Sequence, residues 1–149
     1  PTNKYEAKRK VEDLTKKYHL EGIVNLKGYT NDVASVYNDA QIFGLTSVME
    51  GFDLAIMEAI SHGVVGVTYD VNYGPNDIIQ DGKNGYVVDF NDWHAIADRM
   101  LELFKNPQLM QKMSDGAYES ANRYSPDSVW QNWNKLLTDA KQTLKGSEK

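Results

Sequence analysis

The sequence contains no cysteine, which excludes disulfide bonds and thiolate metal sites. Basic residues are also few: 16 lysines and arginines against 21 aspartates and glutamates give a net charge of -5. A nucleic-acid surface needs clustered basic side chains, so this balance argues against such a partner. No apolar run approaches the roughly 20 residues that cross a bilayer, and no signal-peptide pattern is present. We therefore expect the domain to be cytoplasmic.

Several catalytic signatures are missing as well. The sequence has no Asp-x-Asp pair for a metal-bound diphosphate, no Gly-x-Ser-x-Gly elbow and no Gly-x-Gly-x-x-Gly fingerprint. The histidines His19, His62 and His94 are far apart and lack the spacing of metal ligands. We place His19 and His62 near helix C-termini, where a positive charge is favoured. The sequence predicts neither a metal site nor another cofactor.

What is present is the composition of a globular domain. The chain has 149 residues, of which 41% are hydrophobic and 11% aromatic. This length predicts one domain over residues 1–149 with room for a real core. Pro1 resembles the cut end of a longer chain, and residues 145–149 are expected to be a disordered tail.

Helical and strand-like patterns alternate along the chain. Apolar residues at helical spacing, or bounded by helix start and stop signals, predict helices over 4–18, 33–38, 54–62, 93–104, 107–122 and 126–144, and a short helix from Pro75. Short apolar, β-branched runs predict strands over 23–29, 42–45, 64–69 and 86–90. Strands alternating with helices predict an α/β fold with a doubly wound parallel sheet, followed by C-terminal helices.

The segment 47–59 joins a predicted strand to a predicted helix. Glu50 lies in the turn beside Gly51, where the backbone can approach a ligand closely. The helix is apolar on nearly every side, so we expect Glu58 to be a buried carboxylate that needs a cationic or hydroxyl-rich partner. The amides of the first helical turn suit a phosphate. Because parallel sheets bind ligands outside the carboxyl ends of their strands, Glu50 and the loop Tyr73-Gly74-Pro75 mark the expected site.

Glu50 and Glu58 are separated by seven residues, and the first belongs to a Glu-Gly-Phe turn. This pattern closely resembles the E-x7-E motif of the retaining GT-B glycosyltransferases of family 4. The run 70–85 resembles the same family, more narrowly the bacterial enzymes that place glucose or N-acetylglucosamine on wall teichoic acids or serine-rich surface proteins. The resemblance covers about 5–133. It implies the Rossmann-like, donor-binding C-terminal half of a GT-B fold, truncated on its N-terminal side.

The resemblance also implies roles for individual residues. Glu50 would be catalytic and meet the donor sugar, and Glu58 would hold the ribose hydroxyls. The donor diphosphate would meet the turn formed by Gly51, Phe52, Asp53 and Leu54. Asp53 departs from the family pattern, in which glycine or a small residue is usual; as a helix cap it would accept from the amide of Ala55 or Ile56. No residue here matches the family's basic diphosphate ligands, which we expect before Pro1 together with the first strand and the acceptor domain.

The function implied by the resemblance is transfer of a hexose, glucose or N-acetylglucosamine, from a UDP-sugar to a hydroxyl acceptor such as teichoic acid or a surface glycoprotein, with retention and without a metal. The 149-residue chain alone is expected to be inactive, because the acceptor domain would be missing. An alternative of another class is a non-catalytic GT-B subunit that binds acceptor or chaperones an active glycosyltransferase. A sugar-nucleotide epimerase fits less well, because the Glu-Gly-Phe turn belongs to the transferases. Peripheral membrane association would come only from parts outside this chain, and the oligomeric state stays open.

Tryptophan side chains offer two interpretations. Trp93, Trp130 and Trp133 could form platforms for sugars. Their helical settings favour packing of the C-terminal helices against the sheet or against another domain.

Overall fold

The computed structural model describes residues 4–49, 51, 53–72 and 74–146, and the chain falls into two units, residues 1–33 and 34–149. In chain order the elements are α1 (Lys4–Lys17), α2 (Val33–Asn38), β1 (Ile42–Leu45), α3 (Leu54–Ser61), β2 (Val65–Tyr69), α4 (Pro75–Ile78), β3 (Gly85–Val88), α5 (Trp93–Lys105), α6 (Pro107–Ala121), a 3-10 turn (Asn122–Tyr124) and α7 (Pro126–Gly146). None of the described helices is long and apolar enough to span a membrane.

The second unit is built on a parallel sheet. Its strands follow the order β1-β2-β3, with Ile42 beside Val65 and Tyr69 beside Val88 at the ends of the two ladders. All of β2 is buried, as its continuous apolar sequence predicts for a central parallel strand. The predicted α/β fold with a parallel sheet is confirmed.

Helices cover both faces of this sheet because successive strand residues point to opposite sides. One face carries Val65, Val67 and Tyr69, which pack in a cluster with side chains of α5 and α6 (Ile96, Leu103, Met113). The other face packs in a second cluster with α3, α4 and the C-terminal half of α6 (Phe43, Leu45, Ile56, Ile60, Ile78, Val87, Ala117). The core therefore lies in two layers, one on each side of the sheet.

The helix ends are set by local capping. Asp92 Oδ1 accepts from the amide of Ala95 at 2.9 Å and starts α5. Asn106 Oδ1 accepts from the amide of Leu109 at 3.1 Å and starts α6, with Pro107 in the first turn. Each cap satisfies an amide that has no partner inside the helix. These start signals are visible in the sequence, which is why the predicted helix starts agree with the structure.

The first unit consists of α1 and an irregular segment. Lys8 and Glu12 form an exposed pair at 3.7 Å on α1, one helical turn apart. The strand predicted over 23–29 is wrong: the Ile23 amide donates to the Leu20 carbonyl in a turn, and residues 25–30 are irregular, with Gly28 at φ 71°. A strand is completed by hydrogen bonds to a neighbour, and within its own unit the described part of this segment has no ladder.

The last helix, α7, extends to Gly146 and therefore includes the first two residues of the predicted tail; residues 147–149 lie outside the described residues. Trp93, Trp130 and Trp133 are 61%, 66% and 54% exposed. Packing of these rings against the sheet is therefore not observed. Their packing against another domain stays a prediction.

Candidate functional site

A pocket of about 520 Å³ opens at the carboxyl ends of the three strands, lined by Val48, Met49, Asp70, Val71, Asn72 and Phe90. Its lining comes from the loops that follow β1, β2 and β3. Both the volume and the place are those expected of a ligand site in an open parallel sheet. Met49 directly precedes Glu50, so the pocket adjoins the predicted catalytic turn.

Not every predicted site residue can be placed. Glu50, Phe52 and Tyr73 lie outside the described residues. Gly51, Asp53, Leu54 and Glu58 are described, and they form the turn and the first helical turns of α3. The roles of Glu50 and Phe52 accordingly stay predictions from the sequence.

Asp53 is the cap of α3, as predicted. Its backbone is extended, with φ -81° and ψ 90°, and its Oδ1 accepts from the amide of Ile56 at 3.2 Å. The side chain is buried, with only 5% of its surface exposed. Its second oxygen, Oδ2, is also buried and has no hydrogen-bond partner among the described residues. A buried carboxylate oxygen without a donor is costly, so Oδ2 is the polar atom of this turn with the greatest need of one.

The loop after β2 lies against the same turn through backbone contact. Gly74 has φ 101°, and a Cβ added to it would stand 2.3 Å from the carbonyl oxygen of Gly51. Only glycine fits both the conformation and the space. At the start of this loop Asp70 Oδ1 accepts from Asn76 Nδ2 of α4, which orients the Asp70 carboxylate beside the pocket.

Glu58 is exposed, so the predicted burial of its carboxylate is wrong. Helix α3 buries Ile56, Ala59 and Ile60 against the core, whereas Leu54, one turn before Glu58, is 63% exposed. Because nearly all residues of this helix are apolar, the sequence did not reveal that one of its faces is exposed to solvent. Because water solvates the Glu58 carboxylate, it carries none of the burial cost that the sequence suggested.

Leu54 and Glu58 line a second cleft, of about 290 Å³, completed by Met57, Ser61, Ala121, Tyr124 and Ser125. The main-chain carbonyl oxygen of Glu58 accepts a hydrogen bond from the Ser61 hydroxyl at 2.7 Å and contacts His62 Nδ1 at 2.9 Å. The side chain of Glu58 is thus the anionic group of this cleft. His62 lies at the C-terminal end of α3, as predicted.

Tyr37 of α2 interacts with the start of α3 and with the charges of Asp53 and Glu58. Its hydroxyl donates to the carbonyl oxygen of Ala55, in the first turn of α3, at 3.2 Å. Burial raises the pKa of Tyr37 above its ordinary value, and the negative charges of Glu58 and Asp53 raise it further. Both acids therefore raise the pKa of one hydroxyl, which lies at the start of α3.

Sequence reasoning missed Tyr37, Asp70, Asn72, Phe90 and Tyr124. Asp70 and Asn72 carried a usable signal, because they follow the end of a predicted strand, and Phe90 carried one as the last residue of the predicted strand 86–90. Tyr37 and Tyr124 carried none, since their positions depend on how α2 and the 3-10 turn pack against distant elements.

Known proteins share this sequence pattern and architecture. The family described as glycosyl transferases group 1 matches residues 4–120. The poly(glycerol-phosphate) alpha-glucosyltransferase of Bacillus subtilis is 38% identical over 128 residues, which is 86% of this chain and 18% of that protein. The poly(ribitol-phosphate) alpha-N-acetylglucosaminyltransferase of Staphylococcus aureus is 33% identical over 132 residues, 88% of this chain and 27% of that protein.

A solved structure supports the same relationship. A mutant of S. aureus TarM, crystallised with Fondaparinux, alpha-GlcNAc-glycerol and UDP, superposes with a TM-score of 0.78 at 33% identity. The match covers 87% of this chain and 26% of that one. This chain therefore spans about a quarter or less of the length of these relatives.

Proposed function

Because the chain belongs to the glycosyl transferases group 1 family, we propose that it is the donor-binding C-terminal half of a retaining GT-B glycosyltransferase of family 4. The donor is a UDP-sugar carrying glucose or N-acetylglucosamine, and the acceptor is a hydroxyl group, such as that of a teichoic acid or a surface glycoprotein. The observation that carries the proposal is the placement of α3. Val48 and Met49, in the loop that leads to its capped N-terminus, line the pocket at the strand ends, and Glu58 of the same helix lines a second cleft.

The helix offers two different binding chemistries to such a donor. Its first-turn amides point toward the N-terminal end of the helix and would suit the diphosphate, because that end carries partial positive charge. Glu58 lies four residues after Leu54, a rise of about 6 Å along the helix axis. An ionised carboxylate accepts strong hydrogen bonds, so Glu58 would hold the ribose hydroxyls while the diphosphate occupies the turn.

In the proposed reaction the bond between the anomeric carbon and the diphosphate oxygen breaks, and its electron pair leaves with UDP. The acceptor oxygen bonds to the anomeric carbon on the same face, and the acceptor proton passes to the departing diphosphate. Glu50 would position the sugar and stabilise positive charge on its ring, and the turn amides would stabilise the leaving group. The scheme requires no metal.

The test is a transfer assay with the whole protein, UDP-glucose or UDP-N-acetylglucosamine, and poly(glycerol phosphate) or poly(ribitol phosphate) as acceptor. We expect transfer from one of the two donors, with an α-linked product identified by NMR from the coupling constant of its anomeric proton. A β-linked product would contradict retention. A protein that binds acceptor but neither binds nor consumes UDP-sugar would establish the non-catalytic subunit instead.

A further inference from the structure

The short helix α4 is held from outside by the 3-10 turn that joins α6 to α7. Arg123 Nη2 donates to the carbonyl oxygen of Ile78 at 3.0 Å. The Tyr124 hydroxyl donates to the carbonyl oxygen of Asp77 at 2.8 Å. Two consecutive carbonyls at the C-terminal end of α4 are thus satisfied by two consecutive side chains from a distant part of the chain. We call these two side chains the α4 clamp.

The clamp matters because α4 has only four residues. A helix this short forms too few hydrogen bonds to determine its own conformation, so its neighbours fix it. Asn84, which is completely buried, adds a third bond to this end: its Nδ2 donates to the Ile78 carbonyl at 3.2 Å. The Asn84 Oδ1 accepts from the Gln80 amide at 2.7 Å and anchors the chain that leaves α4.

The opposite end of α4 adjoins the proposed donor site. Gly74 is the N-cap of α4 and has no side-chain cap, and its Cα faces the carbonyl oxygen of Gly51 in the turn after Glu50. The Asp77 amide donates to the Gly74 carbonyl at 3.1 Å, so α4 and Gly74 form one connected piece. A shift of α4 is therefore transmitted to Gly51. Tyr124 also lines the cleft of Glu58, so it borders the part of the proposed site that is assigned to the ribose.

From this arrangement we propose that Arg123 and Tyr124 are positioning residues for the donor sugar. Through α4 and Gly74 they hold the backbone at Gly51 in the conformation that receives the sugar diphosphate. The inference rests on the proposed function, and it adds two residues that lie far from the E-x7-E motif in sequence.

The test uses Tyr124→Phe in the whole protein, which removes one hydroxyl and keeps the ring that packs against the core cluster of α3 and α4. The control is Tyr118→Phe on α6, a half-exposed tyrosine whose ring lies against Gly63 at the other end of α3. Hydrogen exchange of the amides of Asp77, in α4, and of Ile79, its C-cap, is measured first, because it reports on the clamp in the absence of UDP-sugar. We expect faster exchange in Tyr124→Phe and no change in Tyr118→Phe.

Steady-state kinetics with the preferred UDP-sugar are measured on the same variants, together with UDP affinity by calorimetry. We expect kcat/KM to fall about two- to tenfold in Tyr124→Phe, the loss equivalent to one net hydrogen bond, and UDP affinity to fall with it, because UDP carries the same diphosphate. A double variant of Tyr124→Phe with Gly74→Ala should lose no more activity than Gly74→Ala alone, because both changes act through one loop.

Each outcome has a separate meaning. Unchanged exchange in Tyr124→Phe would overturn the clamp itself. Faster exchange with unchanged kcat/KM would show that α4 is held for stability alone and overturn the positioning role. A wild-type protein that neither binds UDP-sugar nor transfers it would refute the proposed function, and the positioning of a donor with it.

Discussion

The two oxygens of Asp53 have different surroundings, and this difference separates two roles of one side chain. Oδ1 caps α3, whereas Oδ2 is buried without a partner among the described residues. The first oxygen stabilises the helix. The second places negative charge near the amides that the proposed diphosphate would use, so it would oppose donor binding.

Replacing Asp53 by asparagine should separate these roles. We expect Asp53→Asn to keep the cap through the amide oxygen, to leave the thermal midpoint nearly unchanged and to tighten UDP-sugar binding. The gain should shrink with added salt, because salt screens the repulsion that the substitution removes. The matched control is Asp92→Asn at the cap of α5, which should leave binding unchanged. Weaker binding of UDP-sugar with unchanged UDP affinity would show instead that Asp53 accepts from a sugar hydroxyl.

Substitutions of the two glutamates of the motif, Glu50 and Glu58, should affect UDP affinity and turnover differently. Glu58→Ala is expected to weaken UDP and UDP-sugar equally, by about 1.5 kcal/mol, the lower end for a charged hydrogen bond because Glu58 is exposed. Glu50→Gln should spare UDP affinity and lower kcat, because its proposed contact is with the sugar. Calorimetry and single-turnover kinetics on both variants measure the two effects. The reverse pattern would exchange the two assignments.

At the scale of the element, Tyr37 connects α2 to the start of α3 by a single hydrogen bond. Its raised pKa means that the folded protein favours the neutral phenol. The contribution to stability is fully present below the ordinary tyrosine pKa of 10.0 and is lost as the pH rises above it. We expect urea unfolding above pH 10 to show a decline that is smaller in Tyr37→Phe, which at neutral pH should cost about 1 kcal/mol. An identical alkaline decline in both proteins would contradict this assignment.

Gly116 of α6 offers a sharper test of helix packing. Alanine is normally the better helix former, by about 1 kcal/mol. A Cβ at position 116 would, however, stand 2.3 Å from the backbone carbonyl oxygen of Lys83. We therefore expect Gly116→Ala to lower the free energy of unfolding by about 1–3 kcal/mol, the cost of overpacking, measured by chemical denaturation. The control Gln108→Ala, at an exposed position of the same helix, should be close to neutral, and a stabilised Gly116→Ala would show that the contact relaxes freely.

The elements that sequence reasoning placed correctly are those with local signals. Caps and proline residues fixed the starts of α3, α5, α6 and α7, and continuous apolar runs identified β1 and β2. The strand expected over 23–29 required a partner that its own sequence does not encode, and the exposure of Glu58 depends on which face of α3 the core covers. The contacts of Tyr37 and Tyr124 depend on packing between distant segments, which no local pattern encodes.

At the scale of the whole molecule, the stability of residues 34–149 is concentrated around the sheet. Leu103 is fully buried, whereas α7 carries an exposed apolar stripe that includes Val129, Trp130, Trp133, Leu136 and Leu137. We expect Leu103→Ala to cost about 2–5 kcal/mol. Leu136→Lys with Leu137→Lys should change the free energy of unfolding by no more than about 0.5 kcal/mol per site, as at other exposed positions. Denaturant unfolding of the 149-residue chain measures both, and a large loss from the α7 variant would show that this stripe is buried in solution.

The contact between Gly74 and Gly51 has a consequence for how this protein can vary. Every substitution at position 74 introduces a Cβ at the same point, 2.3 Å from the carbonyl oxygen of Gly51. This steric clash is the same whatever the charge or size of the new side chain. In a saturation library selected for transfer, position 74 should be uniformly intolerant. At position 50 the remaining activity should instead depend on the chemistry of the side chain, and the closest analogues of glutamate should retain most activity. The position constrained by backbone packing would therefore tolerate fewer substitutions than the proposed catalytic position.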